Sequence, residues 1–138
     1  MNVPSGNANV RIGPLVEAPH LPRQVVIDSH GGGGFRFAGM SHRGSLLCLP
    51  DGVWAWNVTT PGDLTAEALA PVFACADALD FFVLGFGAVP WVAPQALRTR
   101  FREAHISFDA MTTGAAVRTY NVMLMESRRV GAGLIAAD

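Results

Sequence analysis

Phe81-Phe82-Val83-Leu84-Gly85-Phe86-Gly87 decides how this chain folds. The run from Phe81 to Leu84 has no polar face to turn toward water, the pattern of a strand buried on both sides in a parallel sheet. A parallel strand needs a crossover connection to its neighbour, and the chain supplies one. Pro94 opens a helical pattern that places Leu97, Phe101 and Ala104 on one face. Residues 105–110 then alternate Ile106 and Phe108 with polar neighbours, which predicts a second strand. A helix over residues 112–126 and a last strand over 130–136 complete this half.

Upstream the rhythm differs. Thr60, Pro61, Gly62 and Asp63 read as a helix entry, followed by Leu64, Ala68, Leu69, Val72, Phe73 and Ala76 at helical spacing. Pro71 predicts that this helix either kinks there or begins in earnest there. Residues 45–49 and 53–58 form a hairpin across Pro50, Asp51 and Gly52, with Trp54, Trp56 and Val58 sharing the face that covers a core. A shorter hairpin joins residues 34–37 to 40–42 around Ala38 and Gly39, and residues 25–27 read as a strand entering a turn before Gly31. Hairpins followed by strand, helix, strand, helix, strand predict an α/β fold: a mixed sheet covered by helices. Residues 1–24, with prolines at 4, 14, 19 and 22, read as a poorly ordered arm, leaving a single α/β domain over residues 25–138.

Composition narrows the chemistry. The chain has 138 residues, 50% hydrophobic, and a net charge of -1. That suits one compact domain burying roughly 68–70% of its unfolded surface. All ten basic residues are arginine, so Schiff-base and P-loop lysine chemistry is excluded. The neutral charge balance argues against a nucleic-acid partner, and no apolar run reaches the roughly 20 residues of a membrane span. No signal-peptide pattern opens the sequence, so a cytoplasmic location is expected. In that compartment Cys48 and Cys75 read as two thiols packed as small hydrophobes.

In open sheets ligands collect beyond the carboxyl ends of parallel strands, where helix N-termini present free N–H groups. Two loops qualify. The first holds Gly85 and Gly87 after the opening strand; Pro90 stands where a dinucleotide fingerprint needs its third glycine, so nucleotide binding is weakly supported. The second holds Thr112, Thr113 and Gly114, either threonine being a ready N-cap. In the helix that follows, Gly114, Arg118 and Asn121 lie on one stripe. Arg118 is expected to form a buried pair with Asp109 or Asp28, and ligand binding is the alternative. If the strands are parallel neighbours, both loops meet and create an anion-favouring pocket of Gly85, Gly87, Thr113, Gly114, Arg118 and Asn121, with Asp28 and Arg36 as secondary candidates.

Other constellations are weaker. Asp28, His30, His42 and Cys48 can be drawn as a metal site, but lone strand histidines more often face solvent, so no metal is expected. No serine sits in a G-x-S-x-G elbow, and no catalytic residue is assigned. Arg98, Arg100 and Arg102, with Glu103 beside them, read as a solvated face, with a protein or anionic contact as the alternative. Trp91, on a loop between two prolines, either anchors an interface or tucks onto the core.

Several motifs together resemble one family. They are Gly34-Phe35-Arg36-Phe37-Ala38-Gly39, Arg43-Gly44-Ser45, Leu49-Pro50-Asp51-Gly52-Val53, Trp56, Leu84-Gly85-Phe86-Gly87 and Met111-Thr112-Thr113-Gly114-Ala115-Ala116-Val117-Arg118-Thr119-Tyr120-Asn121-Val122. The chain is similar over residues 25–136 to the small, mostly uncharacterised proteins that include mitochondrial complex I (NADH:ubiquinone oxidoreductase) assembly factor 3. The resemblance implies a three-layer (β+α)/β/α domain: a central mixed five-stranded sheet, helices on one face, and a small N-terminal β-layer plus a helix on the other. It implies no established enzymatic activity and no cofactor, and it leans against an enzyme. It points to protein partners of unknown identity, and admits peripheral association with a membrane complex. Residues 1–24 lack the arginine-rich character of a mitochondrial transit sequence, so the resemblance is to a bacterial-type, cytoplasmic member.

Overall fold

A computed structural model describes residues 18–137. Among the described residues eight strands form two sheets. Strands β1 (Ser29–Gly31), β2 (Gly34–Phe37) and β3 (Met40–Arg43) make a small antiparallel sheet. Strands β4 (Ser45–Leu49), β5 (Gly52–Trp56), β6 (Phe81–Gly85), β7 (Ser107–Met111) and β8 (Val130–Leu134) form the central sheet in the order β5-β4-β8-β6-β7. It is mixed: β6 runs parallel to β7 and β8, and β4 runs antiparallel to β5 and β8. The helices are α1 (Ala66–Ala74), α2 (Gln95–Glu103) and α3 (Thr113–Met125).

Alternation along the strands divides the core in two. Leu47, Leu49, Trp54, Trp56 and Leu84 face α1 and α2, meeting Leu69, Val72 and Phe101. Leu46, Cys48, Val53, Val83 and Leu134 face the other way, meeting Val117 and Tyr120 of α3 and Phe35 and Phe37 of the small sheet. The domain is therefore three-layered, with α1 and α2 on one side and the small sheet plus α3 on the other. Trp54, Trp56 and Val58 share one core, as their spacing requires. At the base of β6 and β8, Arg129 grips the Asp80 carboxylate through Nε at 3.1 Å and Nη2 at 2.8 Å.

Two details depart from expectation and two refine it. Residues 25–27 are extended but belong to no strand, because their main-chain partners are side chains of α3 rather than a neighbouring ladder. Helix α1 starts at Ala66, where the Thr65 hydroxyl accepts a hydrogen bond from the Ala68 N–H, and it carries Pro71 within it rather than starting there. The strand expected over residues 105–110 begins and ends later, as Ser107–Met111. Helix α3 has Thr112 at its N-cap position, but the Thr112 side chain makes no capping bond.

Of the expected arm, residues 1–17 lie outside the described residues. The remainder is held against the domain. His20 N–H donates to the Val53 carbonyl and Val53 N–H to the Leu21 carbonyl, extending β5 at its outer edge. Cys48 and Cys75 form no disulfide among the described residues and lie in opposite halves of the core; burial pushes the Cys48 thiol up to about 12. Among the described residues no helix is long and apolar enough to cross a membrane.

Candidate functional site

Because β6 and β7 are parallel neighbours in register from Phe81 opposite Ser107 to Gly85 opposite Met111, the loops leaving them meet. Thr113 fills the junction. Its hydroxyl donates to the Ile135 carbonyl at 2.7 Å and accepts from the Gly87 N–H at 2.9 Å, while its own N–H donates to the Gly87 carbonyl at 3.1 Å. Gly85 permits this approach, since a Cβ there would lie 2.9 Å from Thr113 Cα. Gly87, at φ +98, turns the chain back toward Thr113 in a conformation that favours glycine. Thr113 is 2% exposed, and its hydroxyl has both its proton and a lone pair engaged. Chemically it is a latch joining the ends of three strands, its hydroxyl bound to main-chain groups on both sides.

The polar stripe of α3 faces the incoming chain. Asn121 Oδ1 accepts from the Ile27 N–H and its Nδ2 donates to the Ile27 carbonyl, each at 2.8 Å. At the preceding residue, the Tyr120 hydroxyl donates to the Val25 carbonyl at 3.0 Å; burial raises this phenol far above its ordinary range and keeps it a donor. Gly114 lets the His30 ring approach, with His30 Cε1 3.1 Å from where a Cβ would be. The contacts of Gly114 and Asn121 account for these two residues on that stripe.

Arg118 corrects an expectation. It is exposed, and among the described residues it forms no ion pair with Asp109, Asp28 or any other carboxylate. Asp109 instead turns its carboxylate onto the N–H of Ala110 at 2.9 Å. Asp28 and Arg36 are exposed and joined through the main chain, Asp28 N–H to the Arg36 carbonyl at 2.8 Å. Six of the proposed residues thus separate into a buried latch of Gly85, Gly87 and Thr113, a docking stripe of Gly114 and Asn121, and one exposed cation.

Histidines pair elsewhere. His42 Nε2 donates to the Ser45 carbonyl at 3.1 Å, which leaves Nδ1 to accept from His20 Nε2, also at 3.1 Å. Burial and the neighbouring His20 hold His42 below its ordinary value, in the neutral form this arrangement needs. Among the described residues no group of three or more histidine, cysteine, aspartate or glutamate side chains is placed to hold a metal.

Two grooves border α2, and the arginine cluster divides between them. A cavity of about 530 Å³ between α2 and β7 is lined by Arg98 and Arg102, with Phe101 and Phe108 at its floor. A cavity of about 640 Å³ between α1 and α2 is lined by Leu64, Leu69, Phe73 and Leu97, and Arg100 lies at 3.9 Å over the Phe73 ring. The three arginines are close in sequence but do not share one face. Their helical spacing already carried the division, because positions four apart share a face and positions two apart do not. Trp91 is half-buried against the core with its ring 6.1 Å from Phe86, while Val89 and Val92 stand exposed.

Comparison with known proteins gives this architecture its relatives. Residues 27–135 match a family described as protein of unknown function (DUF498/DUF598). An uncharacterised protein of Rhodobacter capsulatus is 36% identical over 117 residues, covering 85% of this chain and 89% of that protein. NADH dehydrogenase (ubiquinone) 1 alpha subcomplex assembly factor 3 of Mus musculus is 31% identical over 116 residues, covering 83% of this chain and 62% of the mouse protein. A crystal structure described as an outer membrane protein from Bartonella henselae is 44% identical, with a TM-score of 0.82 over 86% of this chain and 100% of that one. The chain belongs to the DUF498/DUF598 family of proteins of unknown function.

Proposed function

We propose that this chain acts by binding other proteins, as an assembly factor without chemistry of its own. The observation that carries this reading is the 31% identity to the mouse assembly factor across 83% of the chain. Thr113 supports it, because a buried latch stands where an α/β enzyme of this topology would keep an open site. The working unit is the domain of residues 25–138 with residues 1–24 as its arm, acting in the cytoplasm and in peripheral association with a membrane complex. Deleting the gene and resolving solubilised membranes on native gels tests this. The expected result is a loss of assembled respiratory NADH dehydrogenase, restored by the wild-type gene, with the tagged protein fractionating as cytoplasmic. Unchanged amounts of every respiratory complex overturn the reading.

A second reading is favoured by one observation: Arg118 is an exposed cation with no carboxylate partner among the described residues. In this reading Arg118, beside Gly114 and His30, binds a small anion, with Gly85, Gly87, Thr113 and Asn121 shaping the support beneath it. A thermal-shift screen with anionic metabolites tests it. A shift lost in Arg118→Ala supports the site, and no shift with any anion removes it.

A further inference from the structure

The central sheet has two outer strands, and they are treated differently. The free side of β5 is occupied by His20 and Leu21 through Val53. At the other edge, β7 pairs only with β6 among the described residues. The hydrogen bonds ending that ladder fix its parity: Ser107 N–H donates to the Asp80 carbonyl and Phe86 N–H to the Met111 carbonyl. In a parallel pair alternate residues bond to one side, so Ser107, Asp109 and Met111 turn their main chain inward. Phe108 and Ala110 turn theirs outward. The Asp109 carboxylate covers one of the two outward donors, the Ala110 N–H. An uncovered edge is a template for another strand.

The groove beside this edge has the other features that a strand-adding ligand needs. Its floor is apolar, with the Phe101 and Phe108 rings stacked 4.5 Å apart. Its wall is cationic. Among the described residues Arg98 donates only Nε to the Ala93 carbonyl and Arg102 only Nη2 to Thr99, which leaves further N–H donors on both guanidinium groups without a partner there. No carboxylate lines the groove, and neither arginine has an ion pair among the described residues. Residues four apart on a helix are separated by about 6 Å along its axis, and residues two apart on a strand by about 6.6 Å. Two acidic side chains at alternate positions of an added strand therefore match Arg98 and Arg102.

We propose that the α2–β7 groove binds an extended acidic segment of a partner protein as a sixth strand of the central sheet, with Arg98 and Arg102 taking two carboxylates at i and i+2. The main chain supplies affinity through Phe108, and the arginines supply selectivity. Asp109 restrains the edge, so that strands lacking the matching charge do not add to it. This names a partner surface for the interaction role proposed above and rests on that role. The peptide experiment below can fail while deletion still disrupts complex assembly, so the two failures are distinguishable.

The test uses the full chain and a labelled, end-blocked peptide of alternating valine and glutamate, read by fluorescence anisotropy and amide exchange. Saturable binding is expected, with new protection at the Phe108 amide. Arg98→Ala/Arg102→Ala, checked for fold by circular dichroism, is expected to weaken binding by about tenfold or more, and Asp109→Ala to strengthen it by freeing a donor. A lysine-for-glutamate peptide and a peptide with proline at the pairing positions are not expected to bind, which tests the proposal without altering the protein. Equal binding of the lysine or proline peptide, no binding at millimolar concentration, or protection confined to other strands overturns it. Self-association of the free chain that protects the same amides also overturns it, in favour of a second copy as the occupant.

Discussion

Asn121 holds the main chain of Ile27 at both its N–H and its carbonyl, 2.8 Å each, across 94 residues of sequence. This one amide substitutes for a β-ladder. It fixes the extended segment that leads into the small sheet onto α3, and so joins the two parts of one layer. Asn121→Ala strands both groups in a half-buried setting and is expected to lower stability by about 2 kcal/mol, read as a lower denaturant midpoint at unchanged slope. A change below about 0.5 kcal/mol would show that the segment is held by its apolar contacts instead.

Thr113→Val keeps the shape of the latch and removes the hydroxyl that bridges Gly87 and Ile135. The expected loss is about 1–3 kcal/mol, against about 0.8 kcal/mol for Thr113→Ser, which keeps the hydroxyl and drops one methyl group. Gly85→Ala attacks the same junction by overpacking, since its Cβ meets main chain that has no room to give, and about 1–3 kcal/mol is expected. Thermal or chemical unfolding of the three variants checks the order.

Arg118→Ala is expected to leave stability within about 0.5 kcal/mol of the wild type, because the side chain is exposed and no ion pair is lost among the described residues. Unfolding of this variant would reinstate the buried pair that its position on the helix suggested. A folded Arg118→Ala protein is the reagent that separates anion binding from protein binding.

His42 links the arm to pH. Burial and His20 place its folded value below the ordinary 6.5, so the folded state favours the neutral ring. The contribution is complete above pH 6.5 and is lost as pH falls through the lowered value, where the unfolded chain binds the extra proton. Protonation also removes the Nδ1 acceptor for His20. Unfolding midpoints between pH 7.5 and 5 are expected to fall, and His20→Ala to flatten that dependence by removing one of its causes. A pH-independent midpoint contradicts this.

Much of the fold was legible because its elements are locally consistent. The run from Phe81 to Gly85 is apolar for the reason that β6 lies between two core layers, and Trp54 and Trp56 alternate with Ala55 because only one side of β5 at that end is deeply covered. What escaped were choices made by distant partners. Val25, Val26 and Ile27 have strand composition, yet Asn121 and Tyr120 decide that they pair with side chains. The meeting of the glycine loops was foreseeable, but whether a ligand or Thr113 fills it depends on the direction of one hydroxyl. The apolar character of its helix points to a buried Arg118, whereas α3 leaves that side chain exposed. The place of β7 at the sheet's edge among the described residues could not be read at all, since strand order in a sheet is set by long-range pairing.

If this chain acts by holding another protein, capturing the tagged protein from its own cells under mild crosslinking must retrieve that protein. A defined partner in stoichiometric amount is expected, retained by Arg118→Ala and depleted by Arg98→Ala/Arg102→Ala. A protein that elutes alone with and without crosslinker, at native abundance, contradicts it.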